Sequence, residues 1–215
     1  ELLLREHLKA APNDVSALRM LAEVAARLGR LEDAEHVLEH CLQLAPGFQA
    51  ARQNYAMVLH RSNKPEQALV EIDKLLAADP RNPGCRNLKA VVLCRTGDYE
   101  PAIELYAGIL EEYPQQPKIW LSYGHALKTA GLTERAVQAY RRSIELDPGF
   151  GEAWWSLANL KTFRFDADDL SAMQAQLERH ELDADQRCQF GFAIGKALED
   201  AGEYESSFQH YAQAN

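Results

Sequence analysis

Few side chains in this sequence stand at spacings that could do chemistry. The run Gly191-Phe192-Ala193-Ile194-Gly195-Lys196 falls one residue short of GxxxxGK, a loop whose backbone amides cradle phosphate between a strand and a helix. No strand pattern precedes Gly191, and a helix with small packing residues accounts for the run more simply. His36 and His40 lie four apart and share a helix face, as two zinc ligands could. A zinc site takes three or four protein ligands, and no third stands at a suggestive spacing, so the pair reads as exposed helix polarity. Cys41, Cys85, Cys94 and Cys188 form no CxxC pair, a usage that fits reduced thiols. No Ser/His/Asp or Cys/His set is evident. The chain is therefore expected to hold no catalytic residue, no metal and no cofactor of its own.

The elements around these residues come from an ordinary composition. The chain has 215 residues, 47% hydrophobic and 26% charged, with 23 Lys and Arg against 32 Asp and Glu, a net charge of −9. A net acidic chain is a poor general binder of nucleic acid or of an anionic membrane. No stretch approaches the ~18 consecutive apolar residues of a membrane span. Glu1 to Lys9 are charged throughout and unlike a secretory leader. The expectation is a cytoplasmic protein with no nucleic-acid or membrane partner.

Periodicity supplies the architecture. Pro12, Pro46, Pro80, Pro114 and Pro148 recur every 34 residues. Ala34, Ala68, Ala102 and Ala136 keep the same register, as do Glu32, Glu66, Glu100 and Glu134. Residues 22, 56, 90, 124 and 158 are Ala, Ala, Ala, Gly and Ala, small enough for two helices to approach closely. Gly29, Asn63, Gly97 and Gly131 suit a left-handed helix end, where a Cβ costs energy. Pro cannot continue a helix interior, so each proline separates one hairpin from the next.

A 34-residue period with this pattern resembles the tetratricopeptide repeat family. Trp120, Tyr123, Gly124, Leu127, Gly131, Ala136, Tyr140 and Pro148 match its characteristic places in one unit. The resemblance implies an all-α fold, an α-solenoid whose tandem hairpins wind into a right-handed superhelix. Residues 1–148 read as a regular array: a partial repeat at 1–12, then 13–46, 47–80, 81–114 and 115–148. Residues 149–215 read as degenerate repeats, with a sixth recognisable after a three-residue slip at Gly195, Leu198, Gly202, Tyr204 and Tyr211. Arg52, Arg86 and Lys89 sit where a large apolar residue is usual, so those hairpins are expected to pack less well and to rely on the aliphatic stems of the long side chains.

Stacked hairpins present an extended concave face lined by their first helices. Twenty lining positions hold Arg19, Arg27, Arg61, Arg95, Lys118 and Lys128 against one acid, Glu23. Asn54, Asn87, His125, Trp155 and Asn159 join them as candidate binding residues. Arg27, Arg61 and Arg95 form a ladder, one per hairpin. An acidic protein thus has a basic groove, suited to a protein or peptide partner with an acidic segment. The alternative for the ladder is helix chemistry, because cations near helix C-termini are favoured by the macrodipole without any ligand. Trp154 falls in the core column of Trp120, whereas Trp155 is expected to face the groove. The two-carboxylate clamp of chaperone-binding family members needs other residues at Glu23, Gly84 and Leu88, so chaperone-tail binding is not expected.

A second resemblance lies in Gly151-Glu152-Ala153-Trp154-Trp155-Ser156-Leu157-Ala158 onward and in Ala193 through Glu205. These runs are similar to the segment joining tetratricopeptide repeats to a sulfotransferase domain in a bacterial family of fused proteins. That resemblance implies a catalytic domain after Asn215, using 3′-phosphoadenosine-5′-phosphosulfate, with this chain as its partner-recruiting arm. The alternative is a stand-alone structural or oligomerisation module of unassigned oligomeric state.

Overall fold

The computed structural model describes residues 1–179 and 182–214. Asn215, where the expected domain junction falls, lies outside them. The chain forms two compact units, Glu1–Leu105 and Tyr106–Asn215. The first holds α1 (Leu2–Ala10), α2 (Val15–Arg27), α3 (Leu31–Leu44), α4 (Gln49–Arg61), α5 (Pro65–Ala78) and α6 (Pro83–Thr96), and it contains the start of α7 (Tyr99–Glu112). The second continues with α8 (Pro117–Thr129), α9 (Thr133–Leu146), α10 (Gly151–Ala158), α11 (Ala167–Leu177), α12 (Ala184–Asp200) and α13 (Tyr204–Ala214). No strand occurs among the described residues. The protein is all-α, built of tandem helix hairpins.

In the first unit α2 packs on α3 and α4 on α5, while α3 meets α4 and α5 meets α6. The first helices α2, α4 and α6 also touch in series. Ala22, Ala34, Ala56 and Ala68 are wholly buried at these contacts, as their small size implies. Positive φ occurs at Gly29, Asn63, Gly97, Gly131 and Gly202. Gly202 takes that backbone conformation three residues later than the 34-residue register would place it.

Arg52 corrects one expectation. It is nearly buried against Glu71 in an ion pair, and its Nη2 donates to the Pro46 carbonyl at 2.6 Å. Trp120 and Trp154, in the same repeat column, donate Nε1 to the Pro114 and Pro148 carbonyls at 2.8 and 3.0 Å. The guanidinium therefore reproduces the indole's hydrogen bond and adds an ion pair, rather than relying on its aliphatic stem.

In the second unit α8 packs on α9 and α12 on α13. The fifth repeat departs from the pattern: α10 stops at Ala158 and packs on α12 and α9. Asp169 of α11 closes a capping box with Asp166, and its Oδ2 accepts from Arg141 Nη2 of α9 at 2.6 Å. The Arg141 guanidinium also lies 5.0 Å from the Phe163 ring centre. These contacts tie α11 to α9. Helix α12 runs unbroken through Gly191–Lys196, so that run is no phosphate loop. Its glycines make room for α13: a Cβ on Gly195 would lie 2.6 Å from Tyr211 Cε1, and one on Gly191 2.8 Å from Ala214 Cβ.

Candidate functional site

In the first unit α2 and α4, with Leu38 of α3, border a half-open cavity of about 190 Å³. Ala22, Ala26, Leu38 and Val58 make its apolar floor, and Glu23, Arg27, Asn54, Met57 and Arg61 its rim. A cavity of this size takes a medium apolar group, since about 150 Å³ of apolar space accommodates benzene. Ala22 and Ala26 stand four apart on α2, and their short side chains leave the opening. Asn54 and Arg61 lie seven apart on α4, which puts them on one face.

The chemistry of the rim is mostly that of donors. Asn54 Nδ2 is buried and has no hydrogen-bond partner, an unusual state for a native amide. It can only donate, so the group that satisfies it must be an acceptor. Arg61 has no ion-pair or hydrogen-bond partner among the described residues. Arg27 is exposed and donates Nη2 to Glu23 at 2.7 Å, while Arg19 Nη1 reaches the same carboxylate at 3.2 Å. This modifies the free basic ladder expected from sequence: the single acid of the lining holds two of its arginines. The signal was present in the i, i+4 spacing of Arg19, Glu23 and Arg27, which favours such pairs on a helix.

The structure therefore brings Arg27, Asn54 and Arg61 to one cavity, with Arg19 joined through Glu23. Asn87 and Arg95 stand on α6, where Arg95 Nη2 donates to Asn63 Oδ1 at 3.1 Å. In the second unit, Lys118, His125 and Lys128 are exposed on α8. His125 Nδ1 lies 3.3 Å from the hydroxyl of buried Tyr140. The Trp155 ring is 5.2 Å from Phe192, which is 5.8 Å from Tyr211, so Trp155 also serves to pack α10 on α12. Asn159 donates to the Trp155 carbonyl at 3.0 Å.

A larger cavity of about 370 Å³ opens among α11, α12 and α13. Its arginine, Arg187, is engaged with the Leu177 and Arg179 carbonyls. The two buried thiols offer little nucleophilic chemistry. Burial pushes Cys41 and Cys85 above the ordinary thiol range, and the reactive form is the thiolate. No group of three or more His, Cys, Asp or Glu arranged for a metal occurs among the described residues, and no helix there is long and apolar enough to cross a membrane.

Comparison with known proteins agrees with this architecture. No curated protein matches the sequence. Among solved structures, PilF of Pseudomonas aeruginosa superposes with a TM-score of 0.67 at 19% identity, over 93% of this chain and 95% of that one. YrrB, described as a TPR protein with an unusual peptide-binding site, gives 0.60 at 14% identity over 96% of each chain. MamA of Desulfovibrio magneticus gives 0.60 at 14% identity, over 93% of this chain and 92% of that one. At such identities the likeness is one of fold. The family described as Tetratricopeptide repeat matches residues 93–160, and the one described as Cytochrome c-type biogenesis protein H TPR domain matches residues 1–118, more than half the chain. The chain belongs to the tetratricopeptide repeat proteins, in the family of the cytochrome c-type biogenesis protein H TPR domain.

Proposed function

We propose that this chain is a scaffold that holds a segment of another polypeptide, with the α2/α4 cavity as a principal contact. The observation that carries this reading is the orphaned Asn54 Nδ2 beside Arg27 and Arg61 over an apolar floor. A peptide supplies each complement: a backbone carbonyl for the amide, an apolar side chain for the floor and an acidic side chain for the guanidinium groups. Arg suits carboxylates because its planar fork can donate twice. The solved structure of YrrB is described as having a peptide-binding site, which makes a peptide the natural class to test.

The family description suggests a setting, cytochrome c-type biogenesis, in which the held segment would belong to a protein of that process. The sulfotransferase-arm reading rests on the junction motifs alone, which extend past residue 160, beyond both family matches. Four free thiols favour a reducing compartment such as the cytoplasm.

The test is a panel of extended acidic, neutral and basic peptides, each with a central leucine, titrated calorimetrically against the wild type and Asn54→Ala, Arg27→Gln and Arg61→Gln. Acidic peptides should bind best, and each substitution should weaken them about five- to tenfold or more, as loss of one charge-assisted or buried hydrogen bond implies. Affinity should fall with salt, because exposed charges are screened over about 8 Å at physiological ionic strength. Preference for basic peptides, or indifference to all three substitutions, would remove the reading.

A further inference from the structure

We propose that Glu23 is the cavity's own competing anion: it occupies Arg27 while the cavity is empty and is displaced when a ligand carboxylate binds there. This inference rests on the peptide-holding reading above and adds to it the residue that sets how acidic the ligand must be.

Glu23 is the single acid among the groove-lining positions and belongs to the cavity rim. It stands four residues from Arg19 and four from Arg27 on α2, and pairs with both at 3.2 and 2.7 Å. Across the opening, Arg61 on α4 has no partner among the described residues, and Asn54 Nδ2 has none. The rim therefore presents one uncommitted guanidinium, Arg61, and one committed one, Arg27. A carboxylate entering over the apolar floor meets the exposed Arg61 directly, but gains Arg27 only by replacing Glu23.

Displacement is feasible for two reasons. The Glu23 side chain is 39% exposed and that of Arg27 77%, so neither is locked by packing. Once moved, Glu23 retains Arg19, whose side chain is only 27% exposed, so its charge is not stranded. Exposed ion pairs of this kind are individually weak. Glu23 thus raises the threshold for binding without closing the cavity: weakly acidic segments fail to displace it, and strongly acidic ones succeed.

The experiment compares wild type, Glu23→Gln, Arg27→Gln and the double variant, using an extended peptide of alternating Glu and Leu. Removing the competitor should tighten binding about two- to fivefold, the scale of a weak surface pair, and the gain should vanish when Arg27 is also replaced. Equal binding by wild type and Glu23→Gln, with Arg27→Gln weaker, overturns this inference and leaves the peptide reading standing. If no peptide binds any of the proteins, the peptide reading falls, and glutarate titration followed on the arginine side-chain NMR signals decides the inference alone. Arg27 should then respond at lower glutarate concentration in Glu23→Gln than in wild type. Identical response, or none in either protein, overturns it.

Discussion

Two single residues show how this chain departs from its repeat pattern and compensates. Arg52 stands in a tryptophan column yet makes the tryptophan's hydrogen bond to the proline carbonyl, besides pairing with Glu71. Arg52→Ala should cost about 1–2 kcal/mol, because it removes the hydrogen bond to the Pro46 carbonyl and leaves the nearly buried Glu71 with Lys74 alone. Arg52→Trp should recover part of that loss, since the indole reaches the same carbonyl in other repeats. Urea melts check both, and an Ala variant as stable as wild type would refute the account. His60 is the second. Its Nδ1 is buried without a partner, and burial, followed by the charge of Arg95, holds its pKa below the ordinary value. The folded chain therefore prefers the neutral ring, and the unfolded chain binds the proton more readily. His60's contribution to stability is complete above about pH 6.5 and is lost as pH falls through the lower folded value. Replacing His60 with Gln should flatten the stability profile over that range, measured by melts at stepped pH. An unchanged slope would rule the residue out.

At the scale of the element, the hairpin depends on one close approach. Gly124 faces Tyr140, and a Cβ there would lie 2.4 Å from Tyr140 Cε1. Tyr140 is wholly buried, with burial pushing its phenol up to about 12, so the ring has nowhere to retreat. Gly124→Ala should destabilise by about 1–3 kcal/mol, the usual penalty for overpacking. Gly47 meets nothing within 4 Å, so Gly47→Ala should stay within about 0.5 kcal/mol of wild type. Equal effects of the two substitutions in thermal melts would show that the close approach is not what fixes the hairpin. The Gly195–Tyr211 contact repeats the device in α12 and α13, sixteen residues apart as in Gly124 and Tyr140. That shared spacing made the sixth repeat legible despite its slip.

At the scale of the whole molecule, the chain closes two compact units, and all three tryptophans, Trp120, Trp154 and Trp155, fall in the second. Tryptophan fluorescence therefore reports that unit, whereas far-ultraviolet circular dichroism reports both. In a urea titration, Arg52→Ala should move the dichroism midpoint more than the fluorescence midpoint, and Gly124→Ala should move the fluorescence midpoint directly. Identical displacement of both signals by Arg52→Ala would show instead that the units unfold as one cooperative system.

The sequence by itself determined the hairpins, because each depends on local chemistry that recurs at a fixed interval. Small residues where helices touch, left-handed ends and interrupting prolines act within about one repeat length, so Ala22, Gly29, Ala34 and Pro46 could be read in series. It also placed Arg27, Asn54 and Arg61 among the binding candidates. What the tertiary structure decided was how these side chains are occupied. Only packing shows that Leu38 of the second helix floors the α2/α4 cavity, that Asn54 keeps an unpaired donor, that Arg52 replaces an indole and that α10 meets α12. Each of these depends on which neighbour lies across a gap between elements, and side-chain contacts across a gap carry no period for a sequence to display.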